Sequence, residues 1–178
     1  MQWHTLFYVL LLCLARVDAQ CSAGFFGSGV STNVALLNQG TTAYASSSYG
    51  TYYPATGAFD GTVDGSSSPY YVRWHSTIPG NYEWIGVDLG SSKSISSIRY
   101  YPWAVQSPTD IYTFRVGQSS TFTSNPSCAS LSLNKDIVYT DVPCVATGRY
   151  VSMHRQNPGH MAVTELQVFS EDIVNRFL

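Results

Sequence analysis

No stretch of this chain keeps a helical repeat of apolar residues for more than two turns. Short runs of alternating or β-branched residues recur instead, each soon broken by Gly, Pro, Asn or Ser. These runs predict strands at Asn33–Leu36, Tyr44–Ser46, Trp84–Leu89, Ser94–Tyr101, Ile111–Gly117, Asp136–Thr140, Arg149–Met153 and Thr164–Phe169. Eight short strands at such spacing are expected to close into an all-β fold, a jelly-roll or β-sandwich. A helical turn is expected around Phe59, before Asp60-Gly61, and the Gly/Ser/Thr-rich stretch Gly40–Thr51 reads as a loop. No internal repeat or interdomain linker interrupts the pattern, so one domain is expected over residues 33–170.

The ends read differently. Leu6–Leu14 is an unbroken apolar run, and Val17-Asp18-Ala19 supplies small residues at −3 and −1 of a cleavage site. Such a run is too short to span a bilayer, so residues 1–19 are expected to be a cleaved signal peptide. A mature chain from Gln20 or Cys21 would then begin with an N-terminal segment, 20–32, ahead of the domain. The tail 171–178 carries Glu171, Asp172 and Arg176, which does not suit a lipid-anchor signal. The expected location is secreted and extracellular.

Only 11% of residues are charged, and the formal net charge is −2. That offers no basic field for nucleic acid, and it argues against an anionic membrane surface. Thirteen tyrosines and four tryptophans are many for this length. About half of the tyrosines are accounted for by the strand preference of aromatics. The rest, with abundant hydroxyls, suit a surface for neutral polar ligands, sugars above all. Cys13 leaves with the leader, so Cys21, Cys128 and Cys144 remain in an oxidising compartment. Cys128 and Cys144 flank a strand-turn-strand pattern and are the natural pair, a closure worth roughly 3 kcal/mol. Cys21 is left either to join two chains as a homodimer or as an unpaired or modified thiol. No N-glycosylation sequon is present, because Asn125 precedes a proline.

Three polar groups stand out. Asp60, Asp64, Asp88 and Glu165 lie in or beside turns and strands. Asp60-Gly61-Thr62 offers the tight turn and hard oxygens of a calcium site, with Glu165 in reach if the last strand runs alongside. The plainer reading is that Asp-Gly simply turns the chain. Nothing pairs two carboxylates across a cleft as a glycosidase requires. The second group is His75 with Trp74, Arg73, Tyr70 and Tyr71. An imidazole exchanges hydrogen bonds with sugar hydroxyls while aromatic faces stack on the ring. Against this, a loop histidine is often merely exposed and Trp74 is equally suited to a core. His154 and His160 stand too isolated to complete a metal site with His75, and no Ser or Cys occupies a nucleophile elbow. Arg99, Trp103 and Asp110 form the third group. Arg99 is either a donor fork for vicinal hydroxyls or a salt-bridged strand residue.

Asn33-Val-Ala, Ala58-Phe-Asp-Gly, Trp74-His-Ser, Trp84-Ile-Gly-Val-Asp-Leu, Asn125-Pro-Ser-Cys, Cys144, Gly148-Arg-Tyr-Val and Thr164-Glu-Leu-Gln-Val-Phe occur in that order. With them the chain resembles the F-type lectins (fucolectins), within the wider group of discoidin and coagulation-factor C-type domains. The resemblance runs from about Asn33 to Phe169 and implies a jelly-roll β-sandwich. It implies a structural calcium held by the Asp60 and Glu165 side chains and by carbonyls of Gly57, Thr62 and Val72. It also implies the Cys128–Cys144 disulfide. His75 falls on the family's sugar-binding histidine. The two arginines and the aspartate that follow in fucose binders are replaced: Trp103 and Val105 stand at the first arginine and the aspartate, and the second arginine falls near Asp110. Fucose specificity is therefore not expected. The reading is a non-enzymatic, calcium-stabilised module for a glycan or glycoprotein, with a site of His75, Trp74 and Trp103 and with Arg73 or Arg99 as replacement donors. The alternative is an extracellular adhesion or matrix domain whose loops bind protein or, less readily, membrane lipid.

Overall fold

Two long strands carry the architecture of the computed structural model, which describes residues 30–63, 74–76, 82–102, 110–132 and 138–172. The strands are β1 (Val30–Asn33), β2 (Thr42–Ala45), β3 (Trp74–His75), β4 (Trp84–Pro102), β5 (Ile111–Gly117), β6 (Ser127–Ser132), β7 (Thr140–Arg155) and β8 (Ala162–Asp172). All the paired registers are antiparallel, and the strand path runs β1-β8-β4-β7-β5-β6, with β2 added to β4 and β3 to β8. β4 and β7 each serve both layers of a β-sandwich. Trp84–Asp88 pairs with β2 and with the second half of β7, whereas Ile95–Pro102 pairs with β8. The register between β4 and β7 shifts from Asp88 to Lys93, and β4 turns its corner there, at Gly90, between the layers.

Alternation fills the space between the layers. Ile85, Val87 and Leu89 point inward from the first half of β4, and Ile98 and Tyr100 from its second half. Tyr112, Phe114 and Val116 of β5 and Val151 and Met153 of β7 meet them. Ile85 and Val87 sit opposite Met153 and Val151 in register. The Cys128–Cys144 disulfide joins β6 to the first half of β7, which places it as a clasp between the two layers.

The expected all-β sandwich is what the chain forms, with some elements displaced. Trp84–Leu89 and Ser94–Tyr101 are two halves of one strand, because the corner bends the chain without ending it. β6 went unpredicted: its Ser-Cys-Ala-Ser-Leu-Ser sequence has little β preference and is held by pairing to β5 and by the disulfide. The first strand lies a few residues before Asn33–Leu36, and only Thr140 of the expected Asp136–Thr140 strand is both described and extended. The helical turn at Phe59 is a 3-10 turn, Ala55–Phe59, with Ala58 and Phe59 buried. Among the described residues no helix is long and apolar enough to cross a membrane.

Candidate functional site

The last strand fixes two neighbours with opposite orientations. β3 pairs with β8, Trp74 opposite Val163 and His75 opposite Ala162. Successive side chains of a strand face opposite ways, so one points to the core and the other to the outside. Trp74 is fully buried, and its indole N–H donates to the Ser47 carbonyl at 3.1 Å and to Ser48 Oγ at 3.2 Å. This corrects the expectation that Trp74 contacts a ligand: it holds the Ser46–Tyr53 loop in place from beneath. His75 is half-buried at the surface, and its Nδ1 lies 2.6 Å from the Ser76 carbonyl. A carbonyl accepts only, so Nδ1 carries the proton and Nε2 is the ring's acceptor. Burial first, then the neighbouring His160, hold the His75 pKa below its ordinary value, although the Ser76 carbonyl opposes them. His75 is therefore neutral at pH 7.

Three loops converge on it. The Tyr49 backbone N–H donates to the His75 carbonyl at 2.8 Å, bringing the Tyr49 ring edge-on to His75 at 5.6 Å. Tyr53 stands at 6.2 Å and His160 at 5.0 Å between ring centroids. Ser76 and Met161 exchange two hydrogen bonds at 2.9 Å, which hold His160 beside His75. Tyr49 keeps 56% of its surface exposed, so it presents an open phenol ring beside His75. Tyr82 has φ 72°, uncommon outside glycine, and the next residue, Glu83, accepts hydrogen bonds from Ser46 and Ser47 and ties this loop to the first.

Beneath the third loop lies a buried ion pair. Arg155 Nη2 is 2.6 Å from Asp110 Oδ1, and its Nη1 donates to the His160 carbonyl. Asp110 is thus structural. Arg99, proposed as a donor to ligand, is excluded from this end. Its guanidinium grips Asp141 at 2.6 and 2.9 Å and lies over the Tyr139 ring at 4.2 Å. Its register partner Gln167 is also five residues along β8 from Ala162, roughly 17 Å of strand. Arg73, Trp103, Val72 and Cys21, with the expected signal peptide, lie outside the described residues. Sequence reasoning missed Tyr49, Tyr53 and His160 as companions of His75. The concentration of tyrosine at 49–53 was the available signal, while His160 gave none.

The proposed metal turn is assembled on β8, three residues on from Ala162, the register partner of His75. Glu165 pairs with Tyr101 on the outer side of its sheet, yet it is fully buried because the Ala55–Phe59 turn covers it. Gly61, at φ 83°, donates its N–H to Glu165 Oε1 at 3.0 Å, and Asp60 Oδ1 accepts from the Thr62 N–H at 2.8 Å. The structure therefore brings Asp60, Gly61, Thr62 and Glu165 to one place, with Gly57 on the same turn. Among the described residues, no three His, Cys, Asp or Glu side chains gather as a metal cluster.

A sequence profile of the F5/8 type C domain matches residues 42–166, from β2 through most of β8. The chain belongs to the F5/8 type C domain family. Among solved structures, chitosan-binding module 1 of a chitosanase/glucanase from Paenibacillus sp. IK-5 is 29% identical. The likeness covers 77% of this chain and 98% of that one, with a TM-score of 0.61. The lectin domain of lectinolysin, solved with Lewis B antigen, is 20% identical, covering 79% of this chain and 98% of that one, with a TM-score of 0.62. The F-lectin (fucolectin) from striped bass (Morone saxatilis) serum is 18% identical over 81% of this chain and 50% of that one, with a TM-score of 0.62. These last two share the fold of this F5/8 type C domain. No curated protein matches the chain.

Proposed function

We propose that this F5/8 type C domain is a secreted, non-catalytic carbohydrate-binding module that takes a sugar at the His75 end and is stabilised by calcium at the Asp60 turn. The observation that carries the reading is the convergence of Tyr49, Tyr53 and His160 on His75, whose Nε2 is the ring acceptor. Nε2 accepts from a sugar hydroxyl, and the open Tyr49 face stacks against the apolar side of the ring. The chitosan-binding module and the Lewis B-bound lectin domain support the same ligand class by likeness. Fucose is not the preferred sugar. Among the described residues, the one guanidinium at this end is Arg155, buried and committed to Asp110 and the His160 carbonyl. Recognition rests on stacking and neutral hydrogen bonds in place of charged donor forks.

The Asp60 turn fits a calcium ion. Glu165 is fully buried against this turn, with its Oε1 accepting from the Gly61 N–H at 3.0 Å, so its carboxylate faces the turn's oxygens. The surrounding donors are hard oxygens: Asp60, Glu165 and the carbonyls of Gly57 and Thr62. When bound, calcium supplies charge neutralisation and ties the turn to β8. A glycan array probed with the mature chain in calcium, then in EDTA, tests both parts. Binding of a defined glycan set, together with a melting temperature lowered by EDTA, is expected. No glycan bound in calcium would contradict the lectin reading, and a melting temperature indifferent to EDTA would remove Asp60 and Glu165 as ligands.

A further inference from the structure

The outer face of the β2-β4-β7 layer holds a cavity of about 290 Å3 that neither His75 nor its ring partners line. Trp84 and Asp88 of β4 form its floor, Tyr44 of β2 one wall, and Phe122 with Tyr150 the other. The segment Ser120–Thr123 arches over the sheet here because Gly86 lets it. A Cβ at Gly86 would lie 2.6 Å from the Phe122 ring, so Phe122 rests directly on the backbone of β4. From that seat Phe122 stacks on Trp84 at 4.9 Å and 26°, and meets Tyr44 at 5.5 Å and Tyr150 at 5.6 Å. Tyr44 is nonetheless 44% exposed, and Trp84 is only partly buried. Four fixed rings therefore border a space that none of them fills.

The polar groups of the groove are equally fixed. Arg149 holds Asp88 with two hydrogen bonds, 2.6 and 2.8 Å, while its guanidinium lies 5.2 Å from the centre of the Tyr150 ring. The Gly90 N–H also donates to Asp88 Oδ1, at 2.8 Å, so the carboxylate is fixed and ionised and sets the polar edge of the groove. Thr121 and Thr123 add exposed hydroxyls on the arch. The volume lies at the small end of ligand cavities, the size of one sugar ring. Rings with apolar faces beside an oriented carboxylate and hydroxyls match a molecule that is apolar on one face and hydroxylated at its edge.

We infer that this groove is a second binding site, for a single neutral hexopyranose residue, on a different layer from His75. The inference stands apart from the His75 reading, because none of His75, Tyr49, Tyr53 and His160 lines the groove. With two sites, one chain would engage two sugar residues and gain by avidity where a glycan surface presents both.

The test is a titration of the 15N-labelled chain with methyl hexosides, following the indole N–H of Trp84 and the backbone signals of Thr121. At least one hexoside is expected to shift these signals saturably, and Tyr44→Ala to weaken that binding about tenfold. Thr123→Trp, at an exposed position, blocks the groove without touching the core and is expected to abolish the shifts. His75→Ala leaves them intact, which separates this site from the other. If no hexoside moves the Trp84 signal, or if Thr123→Trp leaves the shifts unchanged, the groove is not a sugar site.

Discussion

His75 and His154 lie in strands of the same sandwich and carry opposite roles. His75 is half-buried at the rim with Nδ1 on the Ser76 carbonyl, whereas His154 is buried, stacked against Trp84 and 2.8 Å from Ser152 Oγ. Burial, with Arg115 nearby, lowers the His154 pKa from 6.5 to about 4. The folded state thus binds fewer protons than the unfolded state between those values. The contribution is fully present above pH 6.5 and is lost as the pH falls towards 4, by roughly 3 kcal/mol in all. His154→Gln should flatten the fall in melting temperature over that window; an unchanged acid slope would show that other groups set it. Neither role was legible from residue type. Trp74 and His75 are adjacent, and only the β3–β8 pairing decides that the tryptophan faces inward and the histidine outward.

At the scale of elements, the sandwich depends on β4 and β7 passing from one layer to the other. Their apolar alternation was legible, which is why most strands were found. The corner after Asp88 was not, because glycine and serine there read as a chain break and not as a bend within a strand. β6 was invisible for the complementary reason: its register comes from β5 and from Cys128, not from its own side chains. The disulfide joins β6 to β7, with a sequence separation of 16 between its cysteines. Replacing both cysteines by serine should cost about 3 kcal/mol in denaturant unfolding. A midpoint unchanged by that replacement would mean β5 alone holds β6.

Across the whole molecule, chemistry gathers at three places that the chain reaches by long-range pairing. The His75 end, the Asp60–Glu165 turn and the aromatic groove are built from loops and strands far apart in sequence. Ser76 and Met161, which hold two of the ring partners together, are 85 positions apart. The order of short motifs was enough to expect the fold, and the match to the F5/8 type C domain over residues 42–166 agrees with it. The residues of the proposed sugar site were harder to read. One aromatic neighbour proved to be core and one arginine proved to be tied to Asp141, while Tyr49, Tyr53 and His160 entered from elsewhere. Calorimetric titration of His75→Ala against the parent chain, with the strongest glycan from the array, tests the central claim most directly. Affinity should fall at least about tenfold with the melting temperature unchanged, whereas an undiminished affinity in a folded His75→Ala would place the sugar site elsewhere.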